Sequence, residues 1–472
     1  MIVEQIYTGC LAQGAYYIEN NGEVAIIDPL REVHPYIEKA AQRKARIRWV
    51  FETHFHADFV SGHIDLAKKT GATIVYGPTA VPGFKAHIAA DGEVFPLGDA
   101  TITVLHTPGH TMESSCFLLK DKDHRPKALF SGDTLFIGDV GRPDLAQKVK
   151  AEQTPEILAS HLYDSLHEKI LPLPDDIIVY PAHGAGSACG KHMSNETTDT
   201  LGHQKAINYA LRPGLTREAF IRELLSGLTP PPAYFPLNVL MNLEGYESID
   251  QVLERGKHAF GSDEFESLAN ETGALILDTR DPEKFSDGFI PNSINIGVNG
   301  NFAPWVGALI PDIRQQILIV ADPGREEEVI TRMARVGYDF TIGFLAGGFE
   351  AWKKAGKETD SILSISAPEL AEKVNKGNVN ILDIRRASEF QSEHLFQADN
   401  APLDYINQSM LKIDRRKTWY VHCFSGYRSV IFISIMKARG FDNLINVKGG
   451  FKALKESGKF RITDYVQPMT ML

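Results

Sequence analysis

The stretch Thr53-His54-Phe55-His56-Ala57-Asp58-Phe59 decides how the N-terminal part of this chain is interpreted. It places two imidazoles and a carboxylate within five consecutive positions, directly after Ile47-Arg48-Trp49-Val50-Phe51, which has the pattern of a buried strand. Alternate side chains in such a loop can converge on one point, as a divalent metal requires. Histidine and aspartate without a nearby cysteine favour iron, zinc or manganese over a thiolate site. The alternative interpretation is a polar loop with three unrelated surface residues.

Further ligand candidates follow three other apolar runs, in loops of the same kind. They are His110 after a Pro-Gly turn, Asp133 after Ala128-Leu129-Phe130-Ser131-Gly132, and His183 after Val179-Tyr180-Pro181-Ala182. In order and spacing, roughly the first 200 residues resemble the metallo-β-lactamase superfamily. Its motifs are H-x-H-x-D-H, a lone His, an Asp and a last His. The resemblance implies an αββα sandwich over residues 1–227.

Phe59 departs from this pattern, because the superfamily usually has a histidine there. In dinuclear hydrolases of the superfamily that histidine, the preceding Asp and the last His hold a second metal. Here a second metal would keep only Asp58, His183 and a bridging Asp133. We therefore expect a single metal, with Asp58, His183 and Tyr180 around it.

The persulfide dioxygenases, one branch of the superfamily, hold one iron with two His and one Asp. Resemblance to that branch implies His54, His110 and Asp133 as ligands. Spacing alone leaves His54 and His56 open; the resemblance favours His54, with His56 as a candidate fourth ligand. Two His and one carboxylate leave three open positions on Fe(II) for O₂ and a sulfur substrate. We expect one Fe(II) per chain, which zinc can replace in a preparation. Phe59 departs from this branch as well, but there the missing histidine is not needed as a ligand.

The run Gly138-Asp139-Val140-Gly141-Arg142-Pro143-Asp144 also resembles persulfide dioxygenases, which have a Gly-Arg-x-Asp run after the metal Asp. The Arg142 guanidinium is suited to bind a substrate carboxylate. The alternative is that Arg142 pairs with Asp144 and holds the loop in place.

Length, charge and cysteine usage limit the function classes. The 472 residues predict three domains of ordinary size, and the net charge of −11 argues against nucleic-acid and anionic-membrane partners. No apolar run reaches the ~18 residues of a membrane span, and the N-terminus does not have the pattern of a signal peptide. Four scattered cysteines predict a reduced, cytoplasmic chain in which Cys10, Cys116 and Cys189 are idle or buried thiols.

An internal repeat organises the C-terminal half. Ala274–Arg280 recurs as Val379–Arg385, and Gly347–Trp352 recurs as Gly449–Leu454, at offsets of 105 and 102 residues. Alternating apolar runs and helical patterns predict two α/β domains with parallel sheets. We place a first copy at residues 258–356 and a second copy at 357–472. A stiff, extended connector is expected over the proline-rich segment at 228–257.

The second copy carries a cysteine between a predicted strand and a helix. The loop Cys423-Phe424-Ser425-Gly426-Tyr427-Arg428-Ser429 offers backbone N–H groups, a helix N-terminus and Arg428, which together favour a thiolate. It resembles the C-x-x-G-x-R-[ST] loop of the rhodanese family. The resemblance implies that Cys423 accepts sulfane sulfur and that Arg428 binds a sulfonate or stabilises the persulfide. The alternative is a buried structural cysteine.

The first copy has Asp322 where the second copy has Cys423. A carboxylate cannot carry a persulfide, and the three glutamates that follow would repel thiosulfate. We expect a rhodanese-like domain without sulfurtransferase activity, serving as a spacer or a docking platform.

As a whole, the chain resembles fusions of a persulfide dioxygenase with rhodanese domains. The resemblance implies oxidation of a small-thiol persulfide by O₂ to sulfite, coupled to sulfane-sulfur transfer from thiosulfate or a persulfide at Cys423. One alternative is a dinuclear zinc hydrolase of the thioester or lactone type, and another is a non-enzymatic sulfur carrier. The thiol, whether glutathione, coenzyme A or bacillithiol, stays open, as do the direction of sulfur transfer and the oligomeric state. A homodimer is one expectation.

Overall fold

The computed structural model describes residues 1–145, 154–377 and 379–467. The chain groups into two compact units: Met1–Ile249 with Met333–Gly337, and Asp250–Arg332 with the residues from Tyr338 onward. Within the described ranges, none of the helices combines the length and the apolar character needed to cross a lipid bilayer.

The first unit begins with a six-stranded mixed sheet. Its elements are β1 (Ile2–Thr8), β2 (Gln13–Asn20), β3 (Glu23–Ile27), α1 (His34–Gln42), β4 (Arg46–Phe51), α2 (His63–Thr70), β5 (Thr73–Tyr76) and β6 (His87–Ile88). The strands follow in chain order, β1-β2-β3-β4-β5-β6. The pairs β1–β2 and β2–β3 are antiparallel, and the remaining neighbours are parallel.

A second six-stranded sheet follows. Its elements are β7 (Val94–Leu97), β8 (Ala100–His106), β9 (Ser115–Lys120), β10 (Pro126–Gly132), α3 (Pro155–Ser165), β11 (Ile178–Pro181), β12 (Asp199–Thr200), α4 (Leu201–Ile207) and α5 (Arg217–Leu225). A π-helical turn, Leu166–Ile170, continues α3, and a 3-10 turn, Tyr209–Leu211, follows α4. The strand order is β12-β11-β10-β9-β8-β7, with β10 and β11 parallel.

Alternation along the strands builds four layers. On β2, Tyr16 and Ile18 face a core shared by the two sheets, whereas Ala15 and Tyr17 face the opposite side, toward α1 and α2. On the second sheet, residues such as Leu129 pack against α3 and α5. The first unit is therefore the predicted αββα sandwich.

The segment between sandwich and repeat differs from the extended connector that its prolines suggest. It contains α6 (Phe235–Glu244) and α7 (Ile249–Gly256), with irregular backbone at residues 228–232 and 245–248. Pro236 lies in the first turn of α6, where proline favours a helix start because its missing N–H costs nothing there. Helix α6 packs on the sandwich: the Asn242 amide donates to the carbonyls of His56 and Phe59, both at 2.8 Å.

The second unit holds two five-stranded parallel sheets of identical order. The first copy comprises β13 (Ala259–Phe260), α8 (Ser262–Thr272), β14 (Leu275–Asp278), α9 (Pro282–Asp287), β15 (Ile294–Asn295), α10 (Phe302–Leu309), β16 (Ile317–Val320), α11 (Glu326–Ala334), β17 (Thr341–Leu345) and α12 (Gly348–Lys354). Its order is β13-β17-β16-β14-β15.

The second copy repeats this arrangement. It comprises β18 (Ser364–Ile365), α13 (Ala367–Lys376), β19 (Asn380–Asp383), α14 (Ala387–Ser392), β20 (Ala398–Asn400), α15 (Ile406–Ser409), β21 (Trp419–His422), α16 (Tyr427–Ala438), β22 (Leu444–Val447) and α17 (Gly450–Glu456), with 3-10 turns at Leu403–Tyr405 and Met410–Lys412. The order β18-β22-β21-β19-β20 matches that of the first copy and confirms the predicted parallel-sheet repeat.

Candidate active sites

Three buried side chains converge at the ends of the sandwich strands. His54 follows β4, His110 follows β8 and Asp133 follows β10, and one ligand atom of each lies within 4.8 Å of the others. The Oδ2 atom of Asp133 is 3.4 Å from His110 Nε2 and 3.9 Å from His54 Nε2. Among the described residues, this buried carboxylate oxygen has no hydrogen-bond partner, which is costly unless a cation binds it. Two imidazoles and a carboxylate suit iron, zinc or manganese, so the donor set fits a single divalent metal.

Neighbouring groups fix the orientation of both imidazoles. The Nδ1 atom of His110 lies 2.7 Å from the carbonyl oxygen of Arg142, so Nδ1 donates and Nε2 keeps its lone pair. The Nδ1 atom of His54 lies 3.0 Å from the Thr53 hydroxyl, which donates to Asp28 at 2.8 Å. Such outer contacts set the ring orientation of a metal-binding histidine. Both Nε2 atoms therefore point at Asp133.

His183 lies between two carboxylates beside this cluster. Its Nδ1 is 2.7 Å from Asp133 Oδ1, and its Nε2 is 2.9 Å from Asp58 Oδ2. Burial alone would lower the pKa of His183, but the charges of Asp133 and Asp58 raise it well above the ordinary value. The imidazole in this position pairs with both carboxylates.

Cys423 occupies a separate site in the second unit, between β21 and α16. The N–H of Gly426 donates to its sulfur at 3.1 Å, and the Ser429 hydroxyl lies 3.9 Å from it. Gly426 adopts a φ of 106°, a left-handed conformation that favours glycine and turns its N–H back toward the sulfur. The side chain is buried, while Phe424 and Ser425 at the tip of the loop are exposed.

Arg428 is paired within the protein. Its guanidinium donates to Glu389 at 2.6 and 2.8 Å, a bidentate geometry. Its binding of a sulfonate or a persulfide stays a prediction, and the pair with Glu389 leaves other guanidinium N–H groups for such a ligand.

The corresponding loop of the first copy carries Asp322 between β16 and α11, as the alignment of the repeats predicts. Its carboxylate accepts two hydrogen bonds from Lys284, at 2.9 and 3.0 Å. In the first copy, an ion pair thus lies at the position that corresponds to Cys423 in the second copy.

Comparison with known proteins places these sites in families. Residues 8–183 match the metallo-beta-lactamase superfamily, and residues 262–355 and 366–457 match the rhodanese-like domain. A hydroxyacylglutathione hydrolase from Polaromonas sp. is 32% identical over 225 residues, which cover 46% of this chain and 77% of the relative. The chain belongs to the metallo-beta-lactamase superfamily.

Two further relatives show how much of the chain resembles other members of the superfamily. A hydroxyacylglutathione hydrolase from Tolumonas auensis is 37% identical over 36% of this chain, and the chain spans only 60% of that relative's length. The crystal structure of a metallo-beta-lactamase from Staphylococcus aureus subsp. aureus COL is 33% identical, with a TM-score of 0.64. That match covers 73% of this chain and 98% of the other. In this chain, the superfamily domain is followed by two rhodanese-like domains.

Phe59, the departure from the superfamily pattern, is fully buried. Its ring centroid is 4.4 Å from that of His56. Neither ring nitrogen of His56 has a hydrogen-bond partner in the described part of the chain, although Nε2 lies 3.1 Å from Asp28 Oδ1. His56 as a fourth ligand stays a prediction.

Arg142 and Tyr180 have defined contacts in the structure, and their roles at the pocket stay predictions. Arg142 is buried and donates to both oxygens of Asp144, at 2.7 and 2.6 Å, so the structure shows the loop-pinning pair. It serves the site through its carbonyl group, which orients His110. The Tyr180 ring stacks on Phe130 with centroids 5.2 Å apart and belongs to the aromatic core between the sheets.

Two sets of residues near the site were not predicted from the sequence: Cys189, and the pair Asp28 and Glu52. Cys189 forms a buried cluster with Asp58 and His183, although its glycine-rich loop resembles an ordinary connection. Glu52 and Asp28 surround His56, and burial followed by the charge of Asp28 raises the pKa of Glu52 well above its ordinary value. Asp28 and Glu52 each come directly after a buried strand, as Asp133 does, and an acidic residue in that position is the signal that could have identified them.

Proposed function

We propose that the sandwich domain oxidises a low-molecular-weight thiol persulfide with O₂ to sulfite, using one Fe(II), and that Cys423 transfers sulfane sulfur. The overall reaction balances as RSSH + O₂ + H₂O giving RSH and sulfurous acid, which ionises to sulfite. The observation that carries the proposal is the ligand set His54, His110 and Asp133, in which Asp133 Oδ2 has no hydrogen-bond partner among the described residues. Phe59, which offers no ligand atom, supports a single metal.

His54, His110 and Asp133 would hold the iron. When bound, Fe(II) supplies neighbouring open positions for O₂ and the persulfide sulfur, which makes their reaction effectively intramolecular. Thr53 and the Arg142 carbonyl keep both imidazoles aimed at the ligand position. His183 lies between Asp58 and Asp133 and so helps to orient the carboxylate that would face the metal.

The second step uses Cys423 as a nucleophile. Its thiolate attacks the outer sulfur of thiosulfate; the S–S bond of thiosulfate breaks and sulfite leaves with the electron pair. The Gly426 N–H, already bonded to the sulfur at 3.1 Å, stabilises the negative charge. A thiol acceptor then removes the outer sulfur. Sulfite and persulfide are common to both reactions, which supports their presence on one chain.

Thioester hydrolysis is the second candidate, because curated relatives are named hydroxyacylglutathione hydrolases. A two-metal hydrolase would need a further ligand at the position of Phe59, and without it the second metal keeps only Asp58, His183 and a bridging Asp133. Metal analysis and parallel assays separate the two candidates. We expect one iron per chain, O₂ uptake with glutathione, coenzyme A or bacillithiol persulfide, and no hydrolysis of S-lactoylglutathione. Two zinc ions with thioester hydrolysis and no O₂ uptake would establish the hydrolase instead.

His110→Ala tests the ligand set. Loss of an imidazole whose Nε2 lies 3.4 Å from Asp133 should reduce iron content and abolish O₂ uptake, while sulfur transfer at Cys423 continues. His106→Ala is the matched control, because His106 lies on the same segment and contacts the Met112 carbonyl rather than Asp133. Normal iron content and O₂ uptake in His110→Ala would refute the ligand assignment.

A further inference from the structure

A cavity of about 740 Å³ lies within the second unit, between the first and second copies of the repeat. Ser425, Gly426, Tyr427 and Asn446 of the second copy form one wall. Gly426 also donates its N–H to Cys423 Sγ at 3.1 Å, so the cavity ends at the loop that carries the nucleophile. Its volume falls within the range of small-molecule sites.

Contacts of α16 hold the first copy in place as the opposite wall. The Tyr427 hydroxyl donates to the Gly297 carbonyl at 2.8 Å, and the Ser434 hydroxyl accepts the N–H of Asn295 at 2.9 Å. A Cβ atom on Gly300 would lie 2.3 Å from the Tyr427 ring, so the chain passes directly against it. The copy without the cysteine thus completes a cavity at the active loop of the other.

The wall from the first copy is acidic. It presents the carboxylates of Asp281, Glu283 and Asp287, whereas Lys448 is the cationic residue among the lining residues. Asp281 caps α9 by accepting the N–H of Glu283 at 2.9 Å. Among the described residues, neither Glu283 nor Asp287 forms an ion pair. The cavity therefore carries an excess of negative charge that a bound cation would balance.

We propose that this cavity binds the thiol that exchanges sulfur with Cys423, and that it selects low-molecular-weight thiols bearing an ammonium group. The proposal deepens the sulfurtransferase function and rests on it. The thiolate of the bound aminothiol attacks the outer sulfur of the Cys423 persulfide. A new S–S bond forms, the bond to Cys423 Sγ breaks, and Cys423 leaves as the thiolate. A polyphosphorylated thiol such as coenzyme A is disfavoured by the acidic wall.

Alkylation of Cys423 tests the cavity without any turnover. The full chain and the variant Glu283→Gln/Asp287→Asn are treated with cationic 2-bromoethylamine and with neutral iodoacetamide, and the Cys423 peptide is followed by mass spectrometry. Neutralising two exposed carboxylates should slow the cationic reagent about three- to tenfold relative to the neutral one. The control Glu264→Gln/Glu271→Gln removes two exposed charges from α8, which does not line the cavity, and should leave the ratio unchanged. An unchanged ratio in Glu283→Gln/Asp287→Asn would overturn the proposal.

Sulfur transfer from thiosulfate provides the second readout. Cysteamine, 2-mercaptoethanol and mercaptoacetate serve as cationic, neutral and anionic acceptors, and the KM of each is compared between variant and parent. We expect the KM for cysteamine to rise, that for 2-mercaptoethanol to stay constant and that for mercaptoacetate to fall. An equal change for all three would contradict charge selection. Absence of transfer to cyanide in the parent protein would refute the sulfurtransferase function itself, and the alkylation ratio would still decide the charge preference of the cavity.

Discussion

At the scale of single residues, Phe59 has the largest effect on the chemistry. Its ring is fully buried against His56, and its carbonyl accepts a hydrogen bond from Asn242 on α6. The position is thus part of the apolar packing that supports the metal loop, and it provides no lone pair. His183, which lies between Asp58 and Asp133, belongs to the ligand set that a second metal would use.

Phe59→His should create the capacity for a second metal. In excess zinc the parent protein should bind one ion per chain, and the variant should approach two, because Asp58 and His183 lie beside the new imidazole. Without metal, exchanging a buried ring for a polar one should lower the free energy of unfolding by about 2–4 kcal/mol, and zinc should restore part of it.

Metal content and thermal unfolding, with and without zinc, check this prediction. Phe55→His is the control, because Phe55 lies in the same loop but packs against Tyr76, with ring centroids 4.7 Å apart. A Phe59→His variant that still binds one ion in excess zinc would refute the missing-ligand argument.

At the scale of elements, each functional group follows a strand end. His54, His110 and Asp133 come after β4, β8 and β10, and Cys423 comes after β21. These positions could be predicted from the sequence, since apolar runs and the polar residues that end them are local patterns. Helix α6 could not, because it depends on Asn242 meeting backbone carbonyls more than 180 residues away. The pairing of Arg428 with Glu389 spans 39 residues and was equally hidden.

The packing of α16 against the first copy makes a prediction of its own. Gly300→Ala places a methyl group against the Tyr427 ring, which is anchored by its bond to Gly297. We expect a loss of about 1–3 kcal/mol in the free energy of unfolding. We also expect slower sulfur transfer, because a shift of Tyr427 displaces the start of α16, where the loop of Cys423 ends. Denaturant unfolding and the thiosulfate assay measure both effects.

Gly261→Ala is the matched control, since a Cβ atom there meets no heavy atom within 4 Å. Adding Tyr427→Leu to Gly300→Ala should recover part of the stability by making room for the methyl group. If Gly300→Ala behaves like Gly261→Ala, the first copy does not support the active loop through this contact.

At the scale of the whole molecule, the two chemistries lie in different compact units. The proposed metal ligands belong to residues 1–249, and Cys423 belongs to the second unit with both rhodanese-like copies. The metallo-beta-lactamase fold and the repeat could be predicted from motif order and from the internal offsets. The cavity between the copies could not, because Glu283 and Asp287 have no recognisable motif and approach the Cys423 loop only through tertiary packing.

This separation predicts that each activity can be removed alone. Cys423→Ser should abolish sulfur transfer from thiosulfate to cyanide or thiols, because no other cysteine occurs after residue 189. The same variant should keep O₂ uptake with a thiol persulfide close to that of the parent, since His54, His110 and Asp133 are unchanged.

Asp322→Ala is the control in the first copy: it removes a carboxylate paired with Lys284 and should alter neither rate. Both assays are made on the same samples. Sulfur transfer that survives in Cys423→Ser would place the transfer at the metal centre and leave the rhodanese-like copies an accessory role.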